Sequence, residues 1–149
     1  MANITGIREM QQALAKTEKL TYKGLRTGLK RAGLLLQRES MKLVPIQTGN
    51  LRGSADTQME GAGKQVAAVV FYSTDYAIFV HENLEAAHGA AFNAKYAEEI
   101  AAAPPNHPFY FKRGPKQQAK FLEQPLREMR GQLVQIVSSE IEKDLNNAI

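Results

Sequence analysis

The stretch LVPIQTGNLRGS, residues 43–54, sets the predicted architecture because it separates a helical pattern from a strand pattern. Pro45 lacks a backbone N–H and disfavours helical geometry in Val44, so the preceding helix is expected to end here. Over residues 51–60 apolar and polar side chains alternate, which predicts a strand with one solvated face. We expect four residues to form a structural corner that sets the angle between this helix and this strand: Pro45, Thr48, Gly49 and Leu51.

Two helices are predicted on the N-terminal side of the corner. Residues 4–19 carry apolar side chains at helical spacing, and residues 22–43 repeat apolar positions every three or four residues on one face. Gly24 and Gly28 each cost about 1 kcal/mol relative to alanine inside a helix, so they indicate close approach of another backbone. That neighbour is either an element of the same chain or another subunit. The second alternative makes both glycines candidate subunit-interface residues.

A hairpin, a short helix and a long helix are predicted on the C-terminal side. The glycines of residues 61–63 favour a tight reversal, and the β-branched and aromatic run 66–72 predicts a second strand buried on both faces. Residues 76–84, YAIFVHENL, form either a short helix, capped by a side chain of residues 73–75, or irregular structure. Apolar spacing over residues 122–145 predicts a long amphipathic helix with Pro125 at its first position, where a missing N–H costs nothing.

These elements predict an α+β fold, in which a small antiparallel hairpin sheet is packed by two N-terminal helices and a long C-terminal helix. At 149 residues the chain is expected to form a single domain, 1–149. Residues 84–119 are Ala-rich, which indicates an extended insert or arm. Phe109 and Phe111, near its end, favour burial, either on the body of the protein or at a subunit interface.

Composition and spacing argue against several kinds of chemical site. The chain has no cysteine, which removes disulfides, thiolate metal sites and cysteine nucleophiles. His81 lacks the second histidine that a zinc-protease helix places four residues later, because Glu85 stands there. No serine lies in a nucleophile elbow, and no stretch reaches the roughly 20 apolar residues that span a bilayer. We therefore predict no enzymatic activity, no cofactor, no metal and no membrane partner.

Positive charge is concentrated on one predicted helix. The formal net charge is only +4, which does not establish a nucleic-acid partner unless the charges cluster. Lys19, Lys23, Arg26 and Lys30 follow at steps of four, three and four residues, which places them in one stripe if the helix extends through Lys19. The stripe is either an ordinary solvated face or a surface that contacts DNA phosphates. No aromatic side chains for base stacking are interleaved with it.

Three segments resemble motifs of the tailed-bacteriophage neck proteins, a family also described as tail-completion, head-tail joining or minor capsid and tail components. LVPIQTGNLRGS resembles the motif VP-x-x-TG-x-L-R-x-S, TDYAIFVHE (74–82) resembles YA-x-x-VHE, and KFLEQPLRE (120–128) resembles KFL-x-x-A/P-L. The segments occur in the family's order and span most of the chain. The family usually connects the second motif to the third by a variable loop, and residues 84–119 make this connection unusually long.

The resemblance implies a structural virion protein of the phage neck, assembled in the host cytoplasm. It also implies a homo-oligomeric ring, sixfold or twelvefold, between a head-closure or connector protein and the tail terminator, with possible non-specific contact to genomic DNA. A ring needs two different contact surfaces on each subunit, and Arg52, expected to point outward opposite Leu51, is a further candidate interface residue. Two alternative functions remain open, a tail terminator and a small DNA-binding protein.

Overall fold

The computed structural model describes residues 6–45, 49–83 and 119–147, and within these ranges it is mostly helical with one two-stranded sheet. The predicted α+β class is therefore confirmed. The elements in chain order are α1 (Ile7–Leu43), α2 (Asn50–Gly53), β1 (Ala55–Glu60), a 3-10 turn (Gly63–Gln65), β2 (Ala67–Tyr72), α3 (Ala77–Glu82), α4 (Glu123–Glu128) and α5 (Arg130–Asn146). None of these helices combines the length and apolarity that crossing a bilayer requires.

The two predicted N-terminal helices are one continuous helix, α1. Two threonines at or near the predicted break between the helices, residues 20–21, form side-chain hydrogen bonds within the helix. The hydroxyl of Thr17 donates to the carbonyl of Ala13 at 2.9 Å, and that of Thr21 donates to the carbonyl of Thr17 at 2.8 Å. Because these bonds reach back one turn, they keep the threonines compatible with helical geometry.

The corner differs from the predicted helix-to-strand turn. Helix α1 ends at Leu43, as Pro45 predicts, but the strand begins at Ala55 and not at Leu51. Residues 50–53 instead form the single helical turn α2, in which the N–H of Gly53 donates to the carbonyl of Gly49 at 2.8 Å. The prediction that the strand begins at Leu51 was wrong. Apolar and polar residues do alternate over 51–54, but local hydrogen bonds fold these residues into a helical turn.

The hairpin has the predicted solvated face but less burial than expected. Along β1 half-buried and exposed residues alternate, which confirms one solvated face. Strand β2 is half-buried from its second residue onward, so the prediction of burial on both faces was wrong. In a two-stranded sheet both strands are edge strands, so solvent reaches their side chains. The reversal uses positive φ at Gly61 and Gly63, as predicted.

The chain divides into two compact units, each described separately below. The first comprises the described parts of Met1–Gly33, Gln58–Val69 and Gly131–Ile149, and the second those of Leu34–Thr57 and Val70–Arg130. The predicted insert, 84–119, lies outside the described residues except for Ala119, which is buried.

In the first unit, the N-terminal part of α1 packs closely against α5. A Cβ added to Gly24 would lie 2.7 Å from the Cα of Ile141, and one added to Gly28 would lie 2.7 Å from the Cα of Val137. The two contacts run in opposite directions along the two helices, so the pair is antiparallel. Only glycine permits this approach, because any side chain would meet backbone.

In the second unit, the core is a small hydrophobic cluster. Its buried members are Val44, Leu51, Ala77 and Phe121. Half-buried side chains surround them: Leu43, Tyr72, Val80 and Leu122. Gln37 of α1 joins β1 to this unit, since its amide donates to the carbonyl of Ala55 at 2.9 Å and accepts from the hydroxyl of Thr57 at 2.7 Å.

The predicted long C-terminal helix is two helices, α4 and α5, separated at Met129. Pro125 is the third residue of α4 and is buried, so its predicted place at the first position of the long helix was wrong. A proline within the first turn removes an N–H that has no partner inside the helix, which is why α4 tolerates it.

Candidate functional site

The segments 43–54, 74–82 and 120–128 meet in the core of the second unit. Val44 and Leu51 come from the first segment, Ala77 from the second and Phe121 from the third, and all four are buried. We call these four residues the motif cluster. Residues far apart in the chain thus share one desolvated site, and fully burying a Val, Leu or Phe side chain contributes about 1.5–3 kcal/mol each.

The first segment enters the cluster through a left-handed backbone at Gly49. Its φ is +83°, and it stands immediately before α2. No heavy atom lies within 4 Å of a Cβ placed there, so conformation and not space selects glycine at this position. Leu51 follows as the buried residue of α2, and the hydroxyl of Ser54 donates to its carbonyl at 2.8 Å. Pro45 is half-buried, and Thr48 lies outside the described residues.

Phe121 is the centre of the cluster and contacts two aromatic rings edge to face. Its ring centroid lies 5.0 Å from that of Tyr72 and 4.9 Å from that of His81, with interplanar angles of 76° and 89°. This T-shaped arrangement directs the positive edge of one ring to the negative face of another, and it contributes about 0.5–1.5 kcal/mol per pair beyond area burial. Phe121 therefore joins β2, α3 and the start of α4.

Tyr72 and Ser40 form a polar contact beside the cluster. Their hydroxyl oxygens lie 2.7 Å apart, and Ser40 is fully buried. Burial raises the pKa of the Tyr72 phenol, while the hydrogen bond to Ser40 and the positive charge of Arg52 partly oppose this change. The contact satisfies a buried hydroxyl that would otherwise lose its hydrogen bond to water.

His81 connects the second segment to the third through both its backbone and its ring. Its carbonyl accepts the N–H of Lys120 at 2.8 Å, and Nε2 accepts the N–H of Glu123 at 3.4 Å. Nδ1 lies 2.9 Å from Oε1 of Glu82. Since Nε2 is an acceptor, the neutral ring carries its proton on Nδ1 and donates it to Glu82. The histidine of the VHE motif thus fixes where α4 begins.

An exposed ion-pair network surrounds this connection. Nζ of Lys120 lies 2.5 Å from Oε2 of Glu82 and 3.4 Å from Oε2 of Glu123. The other carboxylate oxygen of Glu123, Oε1, accepts a hydrogen bond from Arg127 at 2.6 Å. The hydrogen bond from Lys120, with a further one from His81, lowers the pKa of Glu82, and the bond to Glu82 raises the pKa of Lys120. Lys120 adopts a left-handed φ of +54°, unusual for a non-glycine residue. The network therefore accompanies a strained backbone at the entry to α4.

The contacts at this site are apolar packing, hydrogen bonds and ion pairs. Within residues 6–45, 49–83 and 119–147, no group of three or more His, Cys, Asp or Glu side chains is arranged to hold a metal ion. Each buried side-chain nitrogen or oxygen in the same ranges has a hydrogen-bond partner. What the arrangement does is hold three distant chain segments in one geometry.

Of the predicted subunit-interface residues, the structure describes Gly24, Gly28 and Arg52. Gly24 and Gly28 are buried against α5 of the same chain. Arg52 lies on the helical turn α2 and is half-buried, and it does not project from a strand as expected. Phe109 and Phe111 lie outside the described residues.

The predicted DNA-facing residues lie on one helix, because α1 is continuous through Lys19. Lys19, Lys23, Arg26 and Lys30 are all exposed. Two of them also have partners in the same chain. Nζ of Lys23 lies 3.6 Å from a carboxylate oxygen of Asp144, and the guanidinium of Arg26 donates to the carbonyl of Gly61 at 3.4 Å.

Sequence reasoning missed three residues that organise the structure. The sequence did contain a signal for the buried position of Phe121, because it is the aromatic residue of the KFL segment. Glu140 is buried on α5 and pairs with Arg31, and its place among Ile136, Val137 and Ile141 on the apolar face could have indicated a paired carboxylate. The contact of Ser40 with Tyr72 has no sequence signal.

No family model, curated protein or solved structure matches this chain.

Proposed function

We propose that this chain is a structural, non-enzymatic virion protein of a tailed bacteriophage, forming part of the neck ring that joins the DNA-filled head to the tail. One observation supports the proposal above the others. The three segments that resemble neck-protein motifs supply all four residues of the motif cluster. Short motifs occur by chance, but chance gives no reason for three of them to build one core.

The cluster suits a joining protein because it makes the second unit rigid. Val44 and Phe121 are almost completely buried, and the rings of Tyr72 and His81 hold Phe121 from two directions. Close packing of this kind resists deformation, since even a small displacement weakens the attraction between many pairs of atoms. A subunit that transmits force between head and tail needs such a fixed geometry.

The proposed partners follow from this location. Copies of the chain form a ring, and the ring contacts a head-closure or connector protein on one side and the tail terminator on the other. Assembly takes place in the host cytoplasm. The exposed cations of α1 supply a second proposed contact, non-specific and with the phosphates of the genomic DNA.

Loss of the gene product in the phage that encodes it tests the proposal. A nonsense mutation is expected to leave DNA-filled heads and complete tails unjoined, as seen by electron microscopy, and wild-type protein supplied in trans is expected to restore joined particles. If the chain were instead the tail terminator, tails of uncontrolled length would appear. Joined, infectious particles at normal yield would refute a role at the neck.

A matched pair of variants links that outcome to the motif cluster. Phe121→Ala removes the buried central ring, whereas Val134→Ala removes a smaller apolar group from an exposed site on α5. In the complementation assay Val134→Ala is expected to restore joining and Phe121→Ala to restore it poorly. Equal rescue by both variants would remove the cluster as support for the proposal.

A further inference from the structure

The turn of the hairpin contacts the part of α1 that carries the predicted DNA-facing cations. We call these four cations the basic stripe: Lys19, Lys23, Arg26 and Lys30. The guanidinium of Arg26 donates to the carbonyl of Gly61, the first residue after β1, at 3.4 Å. The bond joins residues 35 positions apart in the chain, and both belong to the first unit. The stripe therefore has a neighbour from a distant part of the sequence.

A second contact brings Lys64 of the same turn to α1. Tyr22 lies one helical turn before Arg26, and its hydroxyl donates to Oε1 of Glu18 at 3.0 Å. Partial burial and this hydrogen bond raise the pKa of the Tyr22 phenol, and the nearby positive charge of Lys64 partly opposes the change. The Lys64 ammonium thus lies close to the Tyr22 hydroxyl, next to the place where Gly61 contacts the helix.

The backbone of the turn fixes the position from which the Lys64 side chain starts. Gly61 and Gly63 have φ of +70° and +55°, a region that favours glycine. A Cβ at Gly61 would overlap the carbonyl oxygen of Gln65, and the N–H of Gln65 donates to the carbonyl of Ala62 at 3.1 Å. The turn is therefore closed tightly around Lys64 and holds it beside α1.

The stripe and Lys64 form a wider positive surface than the stripe alone. At about 100° per residue, the four stripe positions fall within roughly 60° around the axis of α1. Gly24 and Gly28, which contact α5, lie on the far side of that axis. Lys64 adds a cation at the edge of the stripe where Tyr22 lies. We call five exposed residues the basic surface: Lys19, Lys23, Arg26, Lys30 and Lys64.

Lys64 adds charge where two stripe cations already have partners. Nζ of Lys23 lies 3.6 Å from a carboxylate oxygen of Asp144, and Arg26 is bound to the carbonyl of Gly61. Both cations lie in the middle of the stripe, where Lys64 approaches α1. Exposed Lys64 therefore strengthens the positive charge of this middle part.

Three carboxylates border the basic surface without cancelling its charge. Asp144 lies on α5 and pairs with Lys23. Glu18 lies roughly 100° around α1 from the stripe and accepts from Tyr22. Glu60 lies on the solvated face of β1. Because the basic surface has five cations, positive charge prevails.

We propose that Lys64 contacts DNA phosphates together with the basic stripe, so that two elements, α1 and the hairpin turn, build one DNA-binding surface. The partner is the phosphate backbone of duplex DNA. From Lys19 to Lys30 the stripe extends over about 16 Å, and a duplex carries one negative charge per roughly 1.7 Å of its axis. Enough phosphates therefore face the surface for each of its cations. The inference rests on the DNA contact proposed above and specifies the residue outside α1 that takes part in it.

Binding of the purified full-length protein to a duplex oligonucleotide tests the proposal, by fluorescence anisotropy over a range of salt. Lys64→Gln is expected to lower the slope of log K against log salt by about 0.9 and to reduce the affinity at 0.1 M salt by about fivefold or more. Lys64→Arg keeps the charge and should retain the slope. The matched control is Lys143→Gln, because Lys143 is exposed on the side of α5 away from α1.

Photo-crosslinking separates direct contact from the general field of the protein. The natural chain has no cysteine, so Lys64→Cys and Lys143→Cys each carry one thiol-reactive crosslinker at a single site. The two proteins lose the same charge. Covalent protein–DNA product is expected in excess from position 64, and equal yields from both positions would count against a contact at the turn.

Each outcome of the binding measurements decides a different question. Equal weakening by Lys64→Gln and Lys143→Gln would assign the effect to net charge and overturn the proposal. Weakening by glutamine at all four stripe positions, with none from Lys64→Gln, would overturn the inference but keep a DNA contact on α1. If the wild type does not bind the duplex at about 50 mM salt, both fail. Head-tail joining is measured separately in phage particles, so failure of the neck function is distinguishable.

Discussion

Phe121 and His81 pack edge to face with ring centroids 4.9 Å apart, and this contact joins the VHE segment to the KFL segment. The backbone reinforces the contact, since Lys120 donates its N–H to the carbonyl of His81 at 2.8 Å. Two motifs that the chain separates by a long connection are thereby part of one structural element.

Truncation of the central ring should strongly destabilise the second unit. Phe121→Ala is expected to lower the free energy of unfolding by about 3–5 kcal/mol, because it removes a fully buried ring and leaves a cavity. Urea denaturation followed by circular dichroism measures this loss. Val134→Ala, at an exposed position, should change stability by less than about 0.5 kcal/mol. A loss below about 1 kcal/mol for Phe121→Ala would mean that the ring is not the centre of the core.

Gly49 should not tolerate a β-branched residue. Its φ of +83° costs a non-glycine L residue roughly 1–2 kcal/mol, and more for valine, whose branched side chain disfavours this region. Thermal unfolding of Gly49→Val should show the loss. Gly53→Ala is the control, because a Cβ there has no neighbour within 4 Å and alanine favours the helical turn. Equal stability of the two variants would contradict the left-handed corner.

Close packing of α1 on α5 should depend on Gly28. A Cβ at this position lies 2.7 Å from the Cα of Val137, so Gly28→Ala must push the helices apart. We expect destabilisation of about 1–3 kcal/mol, although alanine is the better helix former. Gly131→Ala, which has open space around its Cβ, should be neutral or stabilising by up to about 1 kcal/mol. Denaturant titration of both variants compares them, and stabilisation by Gly28→Ala would disprove the close approach.

Acid should weaken the network around Lys120. The hydrogen bond from Lys120 lowers the pKa of Glu82 in the folded protein below its ordinary value of 4.5. A lowered folded-state pKa stabilises the fold above 4.5, and the contribution is lost as pH falls through the folded value. Stability of the wild type should therefore decline below pH 4.5 more steeply than that of Lys120→Gln.

The matched control for that measurement is Lys143→Gln, which removes an exposed lysine from α5. Urea midpoints of the three proteins, measured between pH 6 and the acid limit of folding, make the comparison. The control should retain the wild-type slope with pH. If Lys120→Gln retains it too, the ion pair with Glu82 does not contribute in solution.

The basic stripe should bind duplex DNA in a salt-dependent manner if it faces the genome. Replacing Lys19, Lys23, Arg26 and Lys30 with glutamine is expected to reduce the affinity and to lower the slope of log K against log salt by about 0.9 for each phosphate that the variant no longer neutralises. Lys23 and Arg26 already have partners in the chain. We therefore expect the salt slope to fall by the amount for about two phosphates and not by the amount for four.

A charge-matched control separates the stripe from net charge. Glutamine at four other exposed cations, Arg8, Lys42, Arg130 and Lys143, changes the total charge equally but leaves the stripe intact. Fluorescence anisotropy with a duplex oligonucleotide compares the two quadruple variants over a range of salt. Equal weakening by both would assign the binding to net charge and refute a DNA-facing stripe.

Local patterns predicted several features of the elements. Pro45 ends α1, alternation over 55–60 marks the solvated face of β1, and two glycines provide the positive φ of the hairpin turn. Errors occurred where tertiary contacts or short-range hydrogen bonds outweighed the pattern. The continuity of α1 near Thr17 and Thr21 and the helical turn at Leu51 both belong to this class.

The amino-acid sequence determined the class of the fold, the position of the corner and the stripe of cations on α1, because propensity, chain stiffness and periodicity act over a few residues. Tertiary structure identified the backbone that approaches Gly24 and Gly28, which is that of α5. It also decided that Val44, Leu51, Ala77 and Phe121 share one core. Burial depends on which distant segments exclude water together, and no window of sequence contains that information.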